Sequence, residues 1–272
     1  MGIMQLTMLC EHVGCTAKMD AKALEQVIGF WQIEGSDSAH MGLLEQDDAG
    51  YYDLQNGNLL LQTLDVITPI VDDGFTFGAI AAAHALSDIY AKGGKPISAL
   101  SFLGFPVNIE PFLGDIIAGC SAKLREAGVV LLGGHTMSTH EPLVGFAITG
   151  IAQRELIVPM KGARNGNKLV LTKPIGSGII STALKFSNSG LAEASLTEEE
   201  LKTASRSMET LNRAASRAML KYRTMACTDV SGFGLIGHLK NLLRGGNVGA
   251  RLFCHLIPKL PGTTRLFQQS II

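Results

Sequence analysis

Apolar positions in the first half of the chain recur with the period of strands in some segments and of helices in others. Two short apolar runs, Tyr51–Leu54 and Asn58–Asp65, flank the turn Gln55-Asn56-Gly57. An Asn-Gly pair between such runs is a strong hairpin signal. Further apolar runs of strand length predict three more strands in this half: Ile97–Pro106, Val129–Leu132 and Leu143–Ala152.

Helical spacing fills the segments between these strands. An amphipathic helix is predicted over Ala21–Trp31. Two further helices end at glycine, which often terminates helices: Gly78–Lys92 precedes Gly93-Gly94, and Leu113–Ala127 precedes Gly128. The first half therefore mixes strands and helices, and we expect an α+β fold.

The pattern restarts after a polar, glycine-bearing stretch at residues 161–167 (KGARNGN), which is typical of a domain boundary. We therefore predict an N-terminal domain over residues 1–160 and a C-terminal domain over residues 161–272. A closed α+β layer usually has more strands than the second part offers, so we expect its domain to be truncated. Its predicted elements are strands Lys168–Lys173, Met225–Thr228 and Val248–Phe253, and helices Ile179–Phe186, Leu196–Tyr222 and Gly234–Leu243.

Composition excludes several classes of protein. Hydrophobic residues make up 46% of the 272 residues and charged residues 17%, as in a globular protein with a large core. The net charge of −1 and the lack of a Lys/Arg run argue against nucleic-acid binding. Apolar runs are far shorter than the roughly 20 residues that cross a bilayer, so no membrane partner is expected. The five cysteines form no Cys-x-x-Cys pair and the N-terminus lacks a signal-peptide pattern, so we expect a cytoplasmic protein without zinc or disulfides.

Four aspartate sites interrupt apolar or glycine-rich stretches: Asp47-Asp48, Asp65, Asp88 and Asp229. Burying a carboxylate there is costly unless a cation meets it. Two carboxylates about 5 Å apart repel by roughly 3 kcal/mol at an effective dielectric near 20. If the sites converge, a divalent cation with a phosphate ligand is the simplest explanation. The alternative is that each aspartate separately caps a helix or closes a turn.

Other candidates are less specific on their own. Cys15 lies three residues before Lys18, and a neighbouring cation raises the thiolate fraction of a cysteine, although a small buried thiol and a surface lysine would look the same. His84 and Asp88 share one face of their helix. Three glycine-rich stretches are predicted to be loops after strands, which either offer backbone N–H groups to phosphate or are ordinary turns: Gly133-Gly134-His135, Gly176-Ser177-Gly178 and Gly232-Phe233-Gly234. Four histidines without metal-ligand spacing are interpreted as structural or surface residues: His12, His40, His238 and His255.

Seven motifs follow one another along the chain: GCTAK, DDAG, QTLDVITPIVDD, AHALSDIYAKGGKP, GGHT, LTKPIGSG and TDVSGFGLIGHL. In this order they resemble the selenophosphate synthetase (selenide, water dikinase) family over nearly all of residues 5–262. That family's wider relatives are aminoimidazole ribonucleotide synthetase, thiamine-monophosphate kinase and a hydrogenase maturation factor. The resemblance implies a two-domain aminoimidazole ribonucleotide synthetase-like fold, in which the N-terminal sheets of two chains pair in a homodimer and ATP lies in a long cleft.

The reaction that the resemblance implies converts ATP, selenide and water into selenophosphate, AMP and phosphate. Cys15 would handle selenium, and Lys18 would contact the ATP phosphates and assist transfer. Magnesium would be held by Asp48, Asp88 and Asp229. Nucleotide would be contacted by Asp47 at its edge, by Asp65 and Asp88, and from the neighbouring chain by Gly134, His135 and Thr136.

Three departures from the family pattern leave alternatives open. His84 replaces the family's usual Asn, and Ala17 stands where some members have a second cysteine. Family members also usually continue to a late glycine-rich loop, which this sequence does not contain. One alternative is a related ATP-dependent small-molecule kinase or ligase, with ADP as the expected kinase product. Another is a truncated, non-catalytic isoform that dimerises.

Overall fold

The computed structural model describes residues 5–14, 21–31, 37–40, 42, 47–190 and 196–269. A six-stranded mixed sheet forms the N-terminal half, in the order β1-β2-β3-β6-β4-β5. Neighbouring strands are antiparallel except β4 and β5, which are parallel. The strands are β1 (Ala39–His40), β2 (Gly50–Asp53), β3 (Asn58–Ile67), β4 (Lys95–Phe105), β5 (Val130–Ser138) and β6 (Leu143–Gln153).

Two long helices, α2 (Gly74–Ala91) and α3 (Glu110–Ala127), pack together over this sheet. Helix α2 begins one turn earlier than predicted because the carboxylate of Asp73 caps it, accepting a hydrogen bond of 2.8 Å from the Thr76 N–H. The two helices approach closely because Gly78 and Gly119 face each other's backbone. A Cβ at Gly119 would overlap the Phe75 carbonyl, and one at Gly78 would overlap that of Ile116.

Further α-helices in the described part of the chain are α1 (Ala21–Gly29), near the N-terminus, and five in the second half. A small core of Ile180, Ala183, Ala204, Leu260 and Leu266 joins several of the latter. Within the described residues, no helix combines the length and the hydropathy that crossing a membrane requires. The five are α4 (Ser177–Ser189), α5 (Glu198–Glu209), α6 (Arg213–Lys221), α7 (Gly234–Leu243) and α8 (Thr263–Gln268).

Several predicted elements are wrong in the second half. The segments 168–173, 225–228 and 248–253 are not strands, since none has a hydrogen-bonded neighbour strand in the described part of the chain. An apolar run becomes a strand only when another strand satisfies its backbone groups. The predicted long helix at Leu196–Tyr222 is two helices, because Thr210 has extended backbone (φ −68°, ψ 123°) and ends α5.

The predicted loop at Gly133-Gly134-His135 is also wrong, since these residues lie inside β5. Gly134 is opposite Ser101 in the parallel β4–β5 ladder. A Cβ at Gly134 would overlap Ser101, so a glycine is required where the two strands approach. Pairing with β4 therefore overrides the local turn preference of the two glycines.

The N-terminal segment 5–14 connects the two halves. The Asn188 side-chain N–H₂ donates hydrogen bonds to Thr7 Oγ1 (2.9 Å) and to Asp72 Oδ2 (2.6 Å). On the same helix, Lys185 Nζ donates to the backbone carbonyl groups of Cys10 and Glu11. Helix α4 therefore fixes a segment that also contacts the N-terminal half.

Candidate functional site

The aspartates converge, and the sheet and α2 supply two of them. Asp65 lies on β3, where alternation places it with Thr63 on the inner face of the sheet. Asp88 lies in the last turn of α2, and Thr63 Oγ1 donates a hydrogen bond of 2.6 Å to its Oδ2. Both carboxylates are buried. The interpretation of separate caps and turns therefore does not hold for Asp65 and Asp88.

Two further aspartates come from opposite halves of the chain. Asp48 precedes β2, Asp229 precedes α7, and Thr228 Oγ1 donates a hydrogen bond of 2.8 Å to Asp48 Oδ1. One potential ligand atom from each of Asp48, Asp229 and His238 lies within 4.8 Å of the other two. This hydrogen bond and this group of ligand atoms join the two halves at one site. We call the five residues Asp47, Asp48, Asp65, Asp88 and Asp229 the acidic cluster.

The electrostatics of the cluster favour a bound cation. Burial raises the pKa of Asp88 well above its usual value, and the neighbouring Asp229, Asp65 and Asp48 raise it further. Burial, followed by the charge of Asp229, raises the pKa of Asp48 to about 8. The buried Asp48 Oδ2 accepts no hydrogen bond from any described residue. Carboxylate oxygens without donors are the ligands that magnesium prefers, so these residues fit that ion.

Basic side chains surround the same site. Lys92 Nζ forms an ion pair with Asp47 Oδ1, and His40 Nε2 lies 3.1 Å from Asp47 Oδ2. His84 Nε2 lies 3.5 Å from Asp65 Oδ2. His84, which stands where the family usually has Asn, therefore contacts a predicted site residue. His238 Nε2 accepts a hydrogen bond of 3.1 Å from the Ser231 backbone N–H, which places the proton on Nδ1, 3.9 Å from Asp229 Oδ1.

Sequence reasoning missed three of these residues: His40, His238 and Lys92. His40 and His238, both predicted as structural or surface residues, contact the acidic cluster. The signal for His238 was the glycine-rich turn between Asp229 and α7, which folds the first turns of the helix back onto the aspartate. Lys92 was predicted only as the end of a helix. Its signal was a lysine among almost exclusively apolar helix residues.

The other predicted site residues either lie outside the described residues or lie away from the cluster. Cys15 and Lys18 lie outside the described residues. Gly14, which precedes Cys15, accepts a hydrogen bond of 3.3 Å on its carbonyl from Thr68 Oγ1, three positions after Asp65. The remaining three, Gly134, His135 and Thr136, lie exposed on β5, at the sheet edge, with β4 and β6 between them and β3.

Comparison with known proteins identifies the two halves. Residues 46–152 match the AIR synthase related protein, N-terminal domain, and residues 164–268 match the C-terminal domain of the same proteins. Solved structures agree on the fold. AaThiL complexed with AMPPCP and TMP superposes with a TM-score of 0.72 at 19% identity, over 93% of this chain and 80% of that one. Thiamine-monophosphate kinase from Stenotrophomonas maltophilia gives 0.63 at 20% identity, over 89% and 76%.

Curated relatives are more similar in sequence. Selenide, water dikinase from Geobacter metallireducens is 40% identical over 273 aligned residues, covering 99% of this chain and 78% of the relative. The protein of the same name from Myxococcus xanthus is 39% identical over 273, covering 99% and 76%. The α+β, two-domain aminoimidazole ribonucleotide synthetase-like fold predicted from the motifs is therefore confirmed.

Proposed function

The chain belongs to the selenide, water dikinase family, and we propose that it uses ATP to convert selenide and water into selenophosphate, AMP and phosphate. The observation that carries the proposal is the acidic cluster, where aspartates from both halves converge and the buried Asp48 Oδ2 has no donor among the described residues. Phosphoryl transfer depends mainly on positioning and charge neutralisation, which is what such a cluster with bound cations can supply. The alternatives of a non-catalytic isoform and a different small-molecule kinase or ligase are not favoured.

Magnesium is the cation that we assign to this site. Asp48, Asp88 and Asp229 would hold it, with His238 beside Asp48 and Asp229. Magnesium bound there would neutralise phosphate charge on ATP. Asp65 would contact the nucleotide and its metal, supported by the nearby His84, whereas Asp47 would lie at the nucleotide edge.

Cys15 and Lys18 are the residues to which we assign the reacting groups. The Cys15 thiol can donate a weak hydrogen bond to the selenide anion, and a lysine can pair with phosphate oxygens. Support comes from Gly14, the residue before Cys15, whose carbonyl accepts a hydrogen bond from Thr68 Oγ1; Thr68 follows Asp65 by three residues along the chain. A cytoplasmic location is part of the proposal, since ATP is supplied there.

A homodimer is also proposed, with Gly134, His135 and Thr136 of one chain contacting nucleotide held by the other. The support is the exposed edge strand β5, which presents Val130 and Leu132 at 60% and 69% exposure. Exposed apolar edge strands readily pair with another chain. Leu132→Glu should convert a dimer into a monomer in light scattering, and a monomeric wild type would contradict the proposal.

The function is tested by measuring selenide-dependent AMP release from ATP and magnesium. We expect the wild type and Asp115→Asn, which alters an exposed carboxylate on α3, to release AMP equally. Asp88→Asn and Cys15→Ser should each lose at least about 100-fold, since each removes a group that acts on the reacting atoms. ADP as the nucleotide product, or equal AMP release by all four proteins, would refute the proposed reaction or the assigned residues.

A further inference from the structure

Lys92 is a fully buried lysine beside the acidic cluster. Its relative exposure is 0%, and its Nζ forms an ion pair with Asp47 Oδ1. Its backbone is fixed as well: the Lys92 N–H donates to the Asp88 carbonyl at 3.2 Å, and the Val158 N–H donates to the Lys92 carbonyl at 3.1 Å. Lysines are almost never fully buried without a paired charge, so this ammonium group has a specific role in its surroundings.

The charge of Lys92 reaches beyond its direct partner. Burial and the charge of Asp229 raise the pKa of Asp48, and the positive charge of Lys92 lowers it. Burial also raises the pKa of the Cys227 thiol, and the positive charge of Lys92 again lowers it. Asp47 in turn is held on three sides, since its Oδ1 also accepts the Asp48 backbone N–H at 2.8 Å and its Oδ2 lies near His40. The lysine therefore fixes the turn that presents Asp48 while supplying positive charge to it.

We propose that Lys92 is a built-in cation of the acidic cluster, which replaces part of the charge of a divalent ion when none is bound. The inference rests on the proposed metal-dependent function and extends it. A fixed ammonium group keeps Asp47 and Asp48 in place in the metal-free protein. It also repels an incoming divalent cation, so the site binds metal more weakly than its carboxylates alone would. Lys92 is thus a positioning residue that sets how strongly metal binds and how much the protein depends on it.

A purely structural role would look different in one measurement. If Lys92 only filled space and bonded Asp47, its replacement would lower stability equally with and without metal. If it replaces cation charge, metal should restore much of the lost stability, because a ligand that binds the folded state more tightly stabilises it more. The difference between variants in the metal-induced shift of the Tm therefore separates the two roles.

The experiment uses the full chain, freed of metal, with Mn²⁺ alone as the probe. Lys92→Met removes the charge at similar length, and Lys92→Gln removes it while keeping an N–H donor for Asp47, which protects against misfolding. Lys202→Met is the matched control, because Lys202 is exposed on α5 and pairs with Glu198. Tm values are measured with and without Mn²⁺, and Mn²⁺ affinity is measured by calorimetry.

Without metal, we expect Lys92→Met to melt about 10 °C below the wild type, since an orphaned buried charge is costly. Saturating Mn²⁺ should recover at least half of this loss, and both Lys92 variants should bind Mn²⁺ about tenfold more tightly than the wild type or Lys202→Met. Equal or weaker Mn²⁺ binding by Lys92→Gln would overturn the inference. Selenide-dependent AMP release by the wild type tests the proposed function separately. If the wild type is active but the Lys92 variants bind Mn²⁺ no more tightly than it does, only the role of Lys92 is refuted. If the Lys92 variants bind Mn²⁺ more tightly but the wild type releases no selenide-dependent AMP, only the proposed function is refuted.

Discussion

Replacing Asp48 by Asn should stabilise the metal-free protein at neutral pH. Burial and Asp229 raise the pKa of Asp48 from 3.8 to about 8 in the folded state. A group whose folded pKa is raised contributes its full stability below the unfolded pKa, and this stability is lost as the pH rises through the folded pKa. The wild type should therefore lose stability between about pH 4 and about pH 8 and change little above that range.

The magnitude follows from the same interval. One pKa unit corresponds to about 1.4 kcal/mol, so a rise from 3.8 to about 8 limits the cost of the ionised carboxylate to about 6 kcal/mol. Water can enter the site as the cluster becomes charged, which lowers the cost, and we expect Asp48→Asn to gain about 2 kcal/mol at pH 8. In a chain of this size, that gain raises the Tm by about 4–8 °C. The Asn side chain keeps the oxygen that accepts from Thr228 Oγ1.

The assay is urea unfolding in EDTA, repeated from about pH 4 to about pH 9, for the wild type, Asp48→Asn and the exposed control Asp115→Asn. The stability difference between Asp48→Asn and the wild type should be near zero at the acidic end and grow steadily to its maximum near pH 8. Magnesium should reduce the difference, because it restores a partner to the ionised Asp48. A difference that is independent of pH, or that Asp115→Asn reproduces, would refute the reasoning.

Two further substitutions test packing and the connection between the halves. Gly119→Ala should lower the Tm by about 5 °C or more in a thermal melt, because its methyl group would overlap the Phe75 carbonyl. The control Gly114→Ala, on the same helix, places its methyl group in open space and should leave the Tm unchanged. Equal effects of the two substitutions would contradict the close contact of α2 and α3. Thr228→Val removes the donor to Asp48 Oδ1 and should reduce selenide-dependent AMP release about fivefold. Thr224→Val, at an exposed position, should leave AMP release unchanged. Full activity in Thr228→Val would mean that this hydrogen bond does not position Asp48.

The sequence predicted the N-terminal half well because its signals are local. The Asn56-Gly57 turn, the apolar run after it and the glycines that end α2 and α3 each act within a few residues, and the structure confirms these elements with small shifts of their ends. The predictions failed where pairing with a strand far away in sequence determines the secondary structure. Gly133-Gly134 became part of a strand because β4 pairs with it, and the apolar segment 168–173 remained irregular because no described strand does.

The candidate site divides in the same way. The cost of burying single carboxylates left convergence of Asp48, Asp65, Asp88 and Asp229 as one of two alternatives, and the family resemblance implied it. Spacing could not reveal that His238 approaches Asp48, since the two positions lie far apart in sequence and meet only through the fold. The apolar helix around Lys92 indicated that this lysine is buried, but spacing could not identify its partner, because Asp47 lies 45 residues away in sequence.

The division of the site between the two halves has a consequence for the order in which the protein is made. The N-terminal sheet ends at Gln153, so a nascent chain of that length already contains Asp48, Asp65, Asp88 and Lys92, but Asp229 has still to be synthesised. Lys92 can pair with Asp47 from the moment that sheet closes. Asp229, the last carboxylate of the acidic cluster, is therefore synthesised after Lys92 has already neutralised Asp47. The cation-binding site is complete only when the second half packs against the first.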